Sequence, residues 1–505
     1  MKKASAAEGG RYTKKHRLPG EAVVDSLNSR GYLAHFHASR HFHRRAFLGA
    51  GHRADPWRLA ADHFRDDYAV STTYSRITRL SPQSMHRLGV LCGLSAGAWL
   101  GAAEAPTKLV TIGFSPFLIS LGMVSGVFVA RWTVPMLLKG TSYVWLDFRE
   151  KAHLAIWAIL AGMLWAVANT LTVFAIREVG LSIAFPLWNT NSLVGLLWGW
   201  LLFNELRGAG TGTWLKVLGG TFAIVVGACV LAYAVSNPSS AAAQHRATLG
   251  ILAALAAGLL WGTMYVPYRK AYISGMNPLS FVTVFTIGEL ATTFLMAFIF
   301  QGGWHSLAAD LVRARPVLFW LFFGGFCWVL GDLLQQYAAK YIGIGRGIPL
   351  SNTNQLWGLA WGALVFGELA GRGLSTQLLI VAGSLIMIAG ATAIGFAEAD
   401  QQEQSYWRGA VERECVRYGM DAIRTENILH GDDPISRSIA EKGSKRNWWE
   451  LLIVAAALAM FVSLGSFARW PDITFHAGWA VALSLLTLFF LTVGGVQLWK
   501  HTRFS

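Results

Sequence analysis

Long apolar runs alternate with short polar connections along this chain from residue 88 onwards. Each run holds roughly 17–25 residues, the length that an α-helix needs to cross a bilayer. Ten runs lie at 88–105, 114–137, 152–176, 182–205, 213–235, 248–268, 279–301, 316–340, 344–367 and 373–396, and two more follow a hydrophilic interval at 450–468 and 477–498. The pattern predicts an all-α polytopic membrane protein with a ten-span core and two extra C-terminal transmembrane helices.

The fourth and ninth runs contain the same motif. The first copy reads Pro186-Leu187-Trp188-Asn189-Thr190-Asn191, and 163 positions later the second reads Pro349-Leu350-Ser351-Asn352-Thr353-Asn354. The same offset relates Trp157, Gly162, Trp165 and Gly180 to Trp320, Gly325, Trp328 and Gly343. Residues 85–236 and 247–397 are therefore predicted to be two copies of a five-span unit. Because five is odd, the second copy enters the membrane upside down, and the core is predicted to be two inverted five-helix repeats.

Three segments fall outside these repeats. Residues 1–84 are basic and contain no secretory signal, so we expect a disordered tail. Met85 stands directly before the first span and is a candidate start of translation. Residues 398–449 are polar and include a predicted amphipathic helix at the membrane surface, around Tyr406 to Met420. Residues 450–505 form the two-span extension.

Composition and charge fit a membrane transporter. Charged residues make up only 14% of the chain, whereas soluble domains carry about 25%. The net charge of +15 is spread over the tail and the short loops, which argues against nucleic-acid binding. Lys and Arg are more frequent in the loops that lie on the same side of the membrane as the N-terminus than in the loops on the other side. This bias predicts that both termini are cytoplasmic and that the protein lies in the plasma (inner) membrane. Because the chain has no Walker loop, GxSxG elbow, HExxH or Cys/His metal motif, no enzyme activity and no cofactor or metal is predicted.

The repeated motif brings proline and amides into the membrane twice. Pro186 and Pro349 each remove a helical hydrogen bond. Amides in hydrocarbon need partners, and two interpretations stay open: hydrogen bonds between helices, or binding of substrate hydroxyls. The candidate substrate-binding amides are Asn189, Asn191, Asn352 and Asn354, with Trp188 beside them. Two GxxxG pairs follow, and they predict close packing of span 4 against span 9: Gly195 with Gly199, and Gly358 with Gly362.

Ionisable side chains inside spans are the second group of candidates. Asp332 lies in the middle of span 8, its repeat-mate is Asn169, and Gln336 follows one turn later. Asp332 is the candidate for proton coupling, and Asn169 and Gln336 are candidates for substrate binding. A structural pair of Asp332 with an arginine or amide remains the alternative. Arg131 and Glu289 lie at neighbouring levels and could pair with each other.

Several short segments resemble a known family. They are Gly101-Ala102-Ala103-Glu104-Ala105-Pro106-Thr107-Lys108 in span 1, Gly162 to Asn169 in span 3, Pro186 to Glu205 in span 4, and Val266-Pro267-Tyr268-Arg269-Lys270 in span 6. Together they resemble the drug/metabolite transporter superfamily (EamA-like), and are most similar to its glucose/ribose porters and rhamnose-type sugar–proton symporters. The resemblance covers about 88–397. It implies a central cavity lined by spans 1, 3, 4, 6, 8 and 9, with Asn169, the four triplet amides and Asp332 at the site.

The resulting prediction is a secondary transporter that takes up a monosaccharide of the glucose, ribose or rhamnose type by proton symport. Its predicted partners are the sugar, H⁺ and the lipid bilayer, and a homodimer stays open. The main alternative is an exporter of amino acids or other small metabolites on the same fold. A membrane scaffold or sensor, with residues 398–449 as its output module, is a third class.

Overall fold

The computed structural model describes residues 81–104, 113–179, 184, 187–235, 241–367, 373–430, 447–470 and 474–504. Regular structure within these ranges is helical throughout, and nine of the helices are long and apolar enough to cross a membrane. A shorter apolar helix, Asn191–Phe203, accompanies them. The protein is therefore an all-α polytopic membrane protein, as predicted. Most of the basic tail, Pro186 and Glu368 lie outside the described residues.

The helices are numbered in chain order. The first half of the core contains α1 (Pro82–Ala103), α2 (Pro116–Lys139), α3 (Ser142–Glu150), α4 (His153–Val179), α5 (Asn191–Phe203) and α6 (Thr211–Val235). The second half contains α7 (Ala241–Ile273), α8 (Pro278–Phe300), α9 (Trp304–Ile342), α10 (Ile344–Ser351), α11 (Asn354–Ala360) with a π-helical turn (Trp361–Val365), and α12 (Leu374–Gly395). After the core come α13 (Gln401–Tyr418), α14 (Ala422–Leu429), α15 (Trp448–Phe467) and α16 (Ala477–Thr502).

Local sequence signals set where equivalent helices begin. Ser115 caps α2 and Asn277 caps α8, each accepting a backbone N–H through its side chain, and a proline follows each cap. Proline suits the first turn because its missing N–H would have no partner there, and its fixed φ already matches the helix. The two halves of the core thus start their second spans in the same way.

Helix packing follows the predicted repeat. Helices α1 and α2 of the first half pack on α9 of the second half. In the equivalent arrangement, α7 and α8 of the second half pack on α4 of the first half. The closest approaches are also paired. Gly162 of α4 lies against the Phe285 carbonyl of α8, and its repeat-mate Gly325 of α9 lies against the Met123 carbonyl of α2. A Cβ at either glycine would overlap that carbonyl oxygen, so glycine is what allows both pairs of backbones to meet.

Spans 4 and 9 differ from the continuous helices that the hydrophobic pattern predicts. The helix is interrupted at Asn189-Thr190 before α5 and at Asn352-Thr353 between α10 and α11. In each break a threonine hydroxyl donates to the carbonyl three residues earlier: Thr190 to Leu187 at 2.7 Å and Thr353 to Leu350 at 2.8 Å. The triplet therefore produces the same turn twice, with the hydroxyl and the backbone N–H of its threonine both donating to that carbonyl.

Two other boundaries also differ from the sequence prediction. Span 8, predicted at 316–340, is the helix α9 of 39 residues, which starts twelve residues earlier and contains Pro316. The amphipathic helix predicted at the membrane surface is present as α13, but its apolar face packs on the protein. Ala410, Val411 and Cys415 are buried, and the latter two belong to the main core cluster. The extension packs outside the core, with α16 on α1 and α15 on α2 and α9.

Candidate functional site

A small cavity lies among α1, α2, α4, α7 and α9. Four tryptophans form much of its wall: Trp165, Trp188, Trp261 and Trp328. Glu104 and Asn169 contribute polar groups to the same lining. The ring centroids of Trp165 and Trp328 are 5.3 Å apart in an edge-to-face arrangement, and those of Trp188 and Trp261 are 6.1 Å apart. Such geometry holds large rings in fixed orientations.

The cavity volume is about 20 Å³, enough for a water molecule. Sites for small organic ligands generally measure about 300–1,000 Å³. A sugar therefore cannot occupy this cavity in the described conformation, and the helices around it must separate before one binds. Asn169, 6% exposed, donates to the Ser120 hydroxyl at 2.8 Å, which fixes its amide at the cavity wall.

A buried ionic cluster lies next to this cavity. The Arg131 guanidinium of α2 donates to Glu289 of α8 at 3.1 Å and to Asp332 of α9 at 2.7 Å, and all three side chains are essentially inaccessible. Gln336 donates to the other Asp332 oxygen at 2.7 Å and accepts from the Tyr272 hydroxyl at 2.6 Å. Asp332 is therefore not an isolated acid, because it shares one arginine with Glu289.

Trp328 separates the cluster from the cavity. Its ring lines the cavity, and the ring centroid lies 5.8 Å from the Arg131 guanidinium carbon. Phe285 covers the guanidinium at 4.3 Å. These rings keep water from the ion pairs and provide favourable cation–π contacts. A change in the cavity that moves Trp328 thus also changes the contact between its ring and the Arg131 guanidinium.

The two triplets meet between spans 4 and 9. The Asn352 amide nitrogen donates to the Asn191 side-chain oxygen at 2.8 Å and to the Asn189 carbonyl at 3.4 Å, and it also contacts the Ser192 hydroxyl. The equivalent bond in the other direction would run from Asn189 to Asn354. It is not made: the Asn189 amide nitrogen and the Asn354 side-chain oxygen are buried without a hydrogen-bond partner among the described residues. The site is therefore asymmetric.

The predicted site residues fall into three places. Asn169 and Trp188 line the cavity, Asp332 and Gln336 belong to the ionic cluster, and the triplet amides lie at the contact between spans 4 and 9. Pro349 lies inside α10, within the broken span. Of the first glycine pair, Gly199 lies against Ile344 of α10 in span 9 as well as Glu205 of the turn after α5, whereas Gly195 lies against Tyr265 of α7. Gly358 lies in α11 and Gly362 in the π-helical turn.

The glycines that receive the triplets come from other spans. Gly97 and Gly101 of α1 lie against the second triplet, and Gly258 and Gly262 of α7 lie against the first. Both sets have GxxxG spacing, so the signal was present in the sequence at an equivalent place in each half. Sequence reasoning also missed Tyr272 and Ser120, whose hydroxyls hold Gln336 and Asn169. A tyrosine or serine in an apolar run gives no local sign of its partner.

A family model matches part of the second half of the core. Residues 248–395 match the model of the EamA-like transporter family. The second half of the core is thus similar to an EamA-like transporter domain. This similarity, together with the multiple apolar helices, supports a role in membrane transport.

Relatives with described functions are more distant. A protein of Streptococcus pyogenes serotype M1, described as "Putative sugar uptake protein", is 25% identical over 266 residues, which is 51% of this chain and 84% of that protein. A protein of Listeria innocua serovar 6a with the same description is 23% identical over 245 residues, 48% of this chain and 78% of that protein. One solved structure, titled "Crystal structure of protein", is 17% identical with a TM-score of 0.38, covering 60% of this chain and 95% of that one. A TM-score below 0.5 does not establish a common fold.

Proposed function

We propose that the protein takes up a monosaccharide together with a proton, by alternating access between the two repeats of the core. The observation that carries this proposal is the position of Trp328, which is shared by a tryptophan-walled cavity and a buried cluster of two acids and one arginine. The relatives described as sugar uptake proteins favour the same substrate class. With the N-terminus inside, the protein would lie in the plasma (inner) membrane with both ends in the cytoplasm.

The cavity lining suits a sugar. Indole rings offer broad apolar faces against the C–H faces of a pyranose or furanose. Asn169 and Glu104 offer the few placed polar groups that orient a ligand in such a pocket. An amide both donates and accepts, and a carboxylate accepts from hydroxyl groups. Substrate entry requires the cavity to widen, which is what alternating access provides.

The ionic cluster suits a proton. Two carboxyl groups share one guanidinium, so with both acids ionised the cluster carries one net negative charge in a buried place. An uncompensated buried charge is costly, and a single proton shared by Glu289 and Asp332 makes the cluster neutral. We assign the proton to this pair rather than to either acid alone. Release of the proton would then accompany exposure of the cluster to water.

The triplet contact gives a way for the two states to alternate. Inverted repeats exchange roles when the transporter changes the side on which it is open. In the opposite state the Asn189 amide would donate to Asn354, and the present bond from Asn352 to Asn191 would be broken. The unpartnered atoms of Asn189 and Asn354 are the two that this exchange requires. Each state would thus be stabilised by one of two equivalent amide bonds.

Removing one amide should bias the states in opposite directions. Asn352→Ala removes the bond of the described state and Asn354→Ala the bond of the opposite one. We expect each to shift the equilibrium by about three- to eighteenfold, the effect of a membrane hydrogen bond worth about 0.6–1.7 kcal/mol. The measurement is the labelling rate of Thr172→Cys, in the cavity wall, by a soluble maleimide. A change of the same sign in both variants would contradict the exchange.

Asn169 should contribute directly to sugar affinity. Asn169→Ala removes a buried amide from the cavity wall, and we expect the KM for sugar to rise about tenfold, since a lost polar contact in a dry site costs about 1–3 kcal/mol. The assay is sugar counterflow in proteoliposomes. Thr221→Ala is the matched control, because it removes a buried hydroxyl of α6 that bonds the Val217 carbonyl and lies outside the cavity lining, so it should leave the KM unchanged. An unchanged KM in Asn169→Ala would remove this residue from the site.

Transport of labelled glucose, ribose and rhamnose into proteoliposomes with an imposed pH gradient tests the proposed function. Accumulation of at least one of these sugars is the expected result. No uptake of any monosaccharide, together with export of amino acids or other metabolites from preloaded vesicles, would favour the exporter instead.

A further inference from the structure

One helix outside the repeats is tied into the core by a buried ion pair. Glu403, in the first turn of α13, accepts from both terminal nitrogens of Arg346 at 2.7 and 2.8 Å, and both side chains are about 5–6% exposed. The same carboxylate accepts from the Leu206 backbone N–H at 3.2 Å. A single side chain of α13 therefore joins the end of span 4 to the start of span 9. Bidentate arginine–carboxylate pairs are among the strongest polar contacts in proteins.

A second charged pair lies at the same end of the core. Glu205, just after α5, accepts from the backbone N–H groups of Ile344 and Gly345 at 3.1 and 2.8 Å. It also pairs with Arg269 of α7 at 2.8 Å. The first turn of α10, whose N–H groups have no helical partner, is thereby closed by a carboxylate from the other repeat. These contacts hold the two repeats together at the end where α13 lies.

Opening the core at this end would have to break these contacts. α10 leads from this end to Asn352, and its first turn is held by Glu205, so separating the repeats at this end would move α10 away from the turn that carries Glu205. Glu403 bridges the same two parts, through Arg346 of α10 and the Leu206 N–H after that turn. Beside it lies a cavity of about 440 Å³, lined by residues that include Arg269, Arg346, Glu403 and Trp407. This space forms a vestibule beneath α13.

We propose that α13 is a latch on the transport pathway, and that the core opens at the α13 end only when Glu403 releases Arg346. The latch would be a positioning element: Glu403 holds α10 and does not bind the substrate. The proposal rests on the protein being an alternating-access transporter, but on neither the sugar nor the proton. Its experiment uses no substrate, so its failure can be told apart from failure of the proposed function.

Further polar contacts dock α13 on the core. Lys270 pairs with Glu414 at 2.8 Å, and the Asn204 amide donates to the Tyr406 carbonyl at 3.3 Å. Cys415 is 2% exposed on the packed face of α13. Burial raises the pKa of the Cys415 thiol, which keeps it protonated and slow to react while α13 is docked. This native cysteine can therefore report release of the helix.

The first measurement is the rate at which a soluble maleimide labels Cys415 in the full-length protein at one fixed pH. Cys92, Cys229 and Cys327 are replaced by alanine in all samples, so that Cys415 is the one thiol present. Glu403→Gln is expected to raise the rate about tenfold or more, because local opening becomes easier when a buried ion pair loses one partner. Arg346→Gln with Glu403→Gln should give a similar rise, which also covers poor folding of the single variant. The matched control, Glu426→Gln, removes the exposed pair with Arg408 and should leave the rate within twofold.

The second measurement distinguishes a latch from a helix that is merely docked. Leu196→Cys places a thiol directly beneath Gly345, in a background where all four native cysteines are replaced by alanine. With a functional latch, Glu403→Gln should raise labelling at this position as well. An unchanged rate for Cys415 would overturn the role of the ion pair. Faster labelling of Cys415 with no change in the labelling of Leu196→Cys would overturn the proposal that α13 is a latch.

Discussion

Replacing Asp332 with asparagine should abolish sugar accumulation driven by a pH gradient, while sugar counterflow continues. In the wild-type cluster Arg131 faces two carboxyl groups, and one proton is needed for neutrality. In Asp332→Asn, Arg131 and Glu289 form a balanced pair without a proton. The asparagine also keeps an oxygen for the hydrogen bond from Gln336. The transport cycle should therefore run without moving protons.

The same logic applies to the partner acid. Glu289→Gln leaves Arg131 balanced by Asp332, so it should show the same loss of accumulation with counterflow preserved. Asp310→Asn, which alters an acid near the surface at the start of the same helix as Asp332, is the control and should accumulate sugar normally. Counterflow by Asp332→Asn and Glu289→Gln is measured at several values of external pH. The counterflow rates of these two variants should no longer depend on pH in the way that the wild-type rate does. Equal loss of counterflow and accumulation in Asp332→Asn would mean that this acid binds sugar or holds the fold.

Replacing Arg131 with methionine should strongly destabilise the protein. The change leaves Glu289 and Asp332 buried without the guanidinium that now neutralises them. Removing one partner of a buried ionic network costs about 3–5 kcal/mol, because the remaining charge is left uncompensated. We therefore expect little folded protein in detergent, measured as the monodisperse fraction on size-exclusion chromatography and as the midpoint of thermal unfolding.

Stability should return when the two acids are neutralised as well. The triple variant Arg131→Met, Glu289→Gln, Asp332→Asn holds no net charge at this place and should recover most of the folded fraction. Arg177→Met is the control, since Arg177 is 42% exposed in its pair with Glu178 and exposed pairs contribute about 0–1 kcal/mol. A stable single variant, or an equally unstable triple variant, would contradict the view that charge balance is the main demand of the cluster.

The repeat, the spans and the location of the triplets could be predicted from the sequence, because hydrophobic length and a constant offset are properties of the chain alone. The break within spans 4 and 9 could not. A threonine in an apolar run is compatible with a continuous helix, and only the bonds from Thr190 to Leu187 and from Thr353 to Leu350 show that it closes a turn. The partner of each polar group depends on which helices are neighbours.

The ionic cluster illustrates the same limit. Arg131, Glu289 and Asp332 stand out in the sequence as ionisable residues inside spans. Their neighbouring levels suggested a pair of Arg131 with Glu289, and a pair of Asp332 with an arginine stayed open. In the structure Arg131 pairs with both Glu289 and Asp332. The pair of Arg346 with Glu403 had no sequence signal, because Glu403 belongs to a polar segment that has no counterpart in the repeats.

The most direct test of the central claim is the proton flux that sugar causes in the absence of a pH gradient. Purified protein is placed in proteoliposomes containing a pH-sensitive dye, and a sugar found in the uptake assay is added outside. Symport predicts that sugar entry acidifies the lumen in the wild-type protein. Asp332→Asn and Glu289→Gln should admit sugar by facilitated diffusion with no acidification. Sugar entry without proton movement in the wild-type protein would contradict the account.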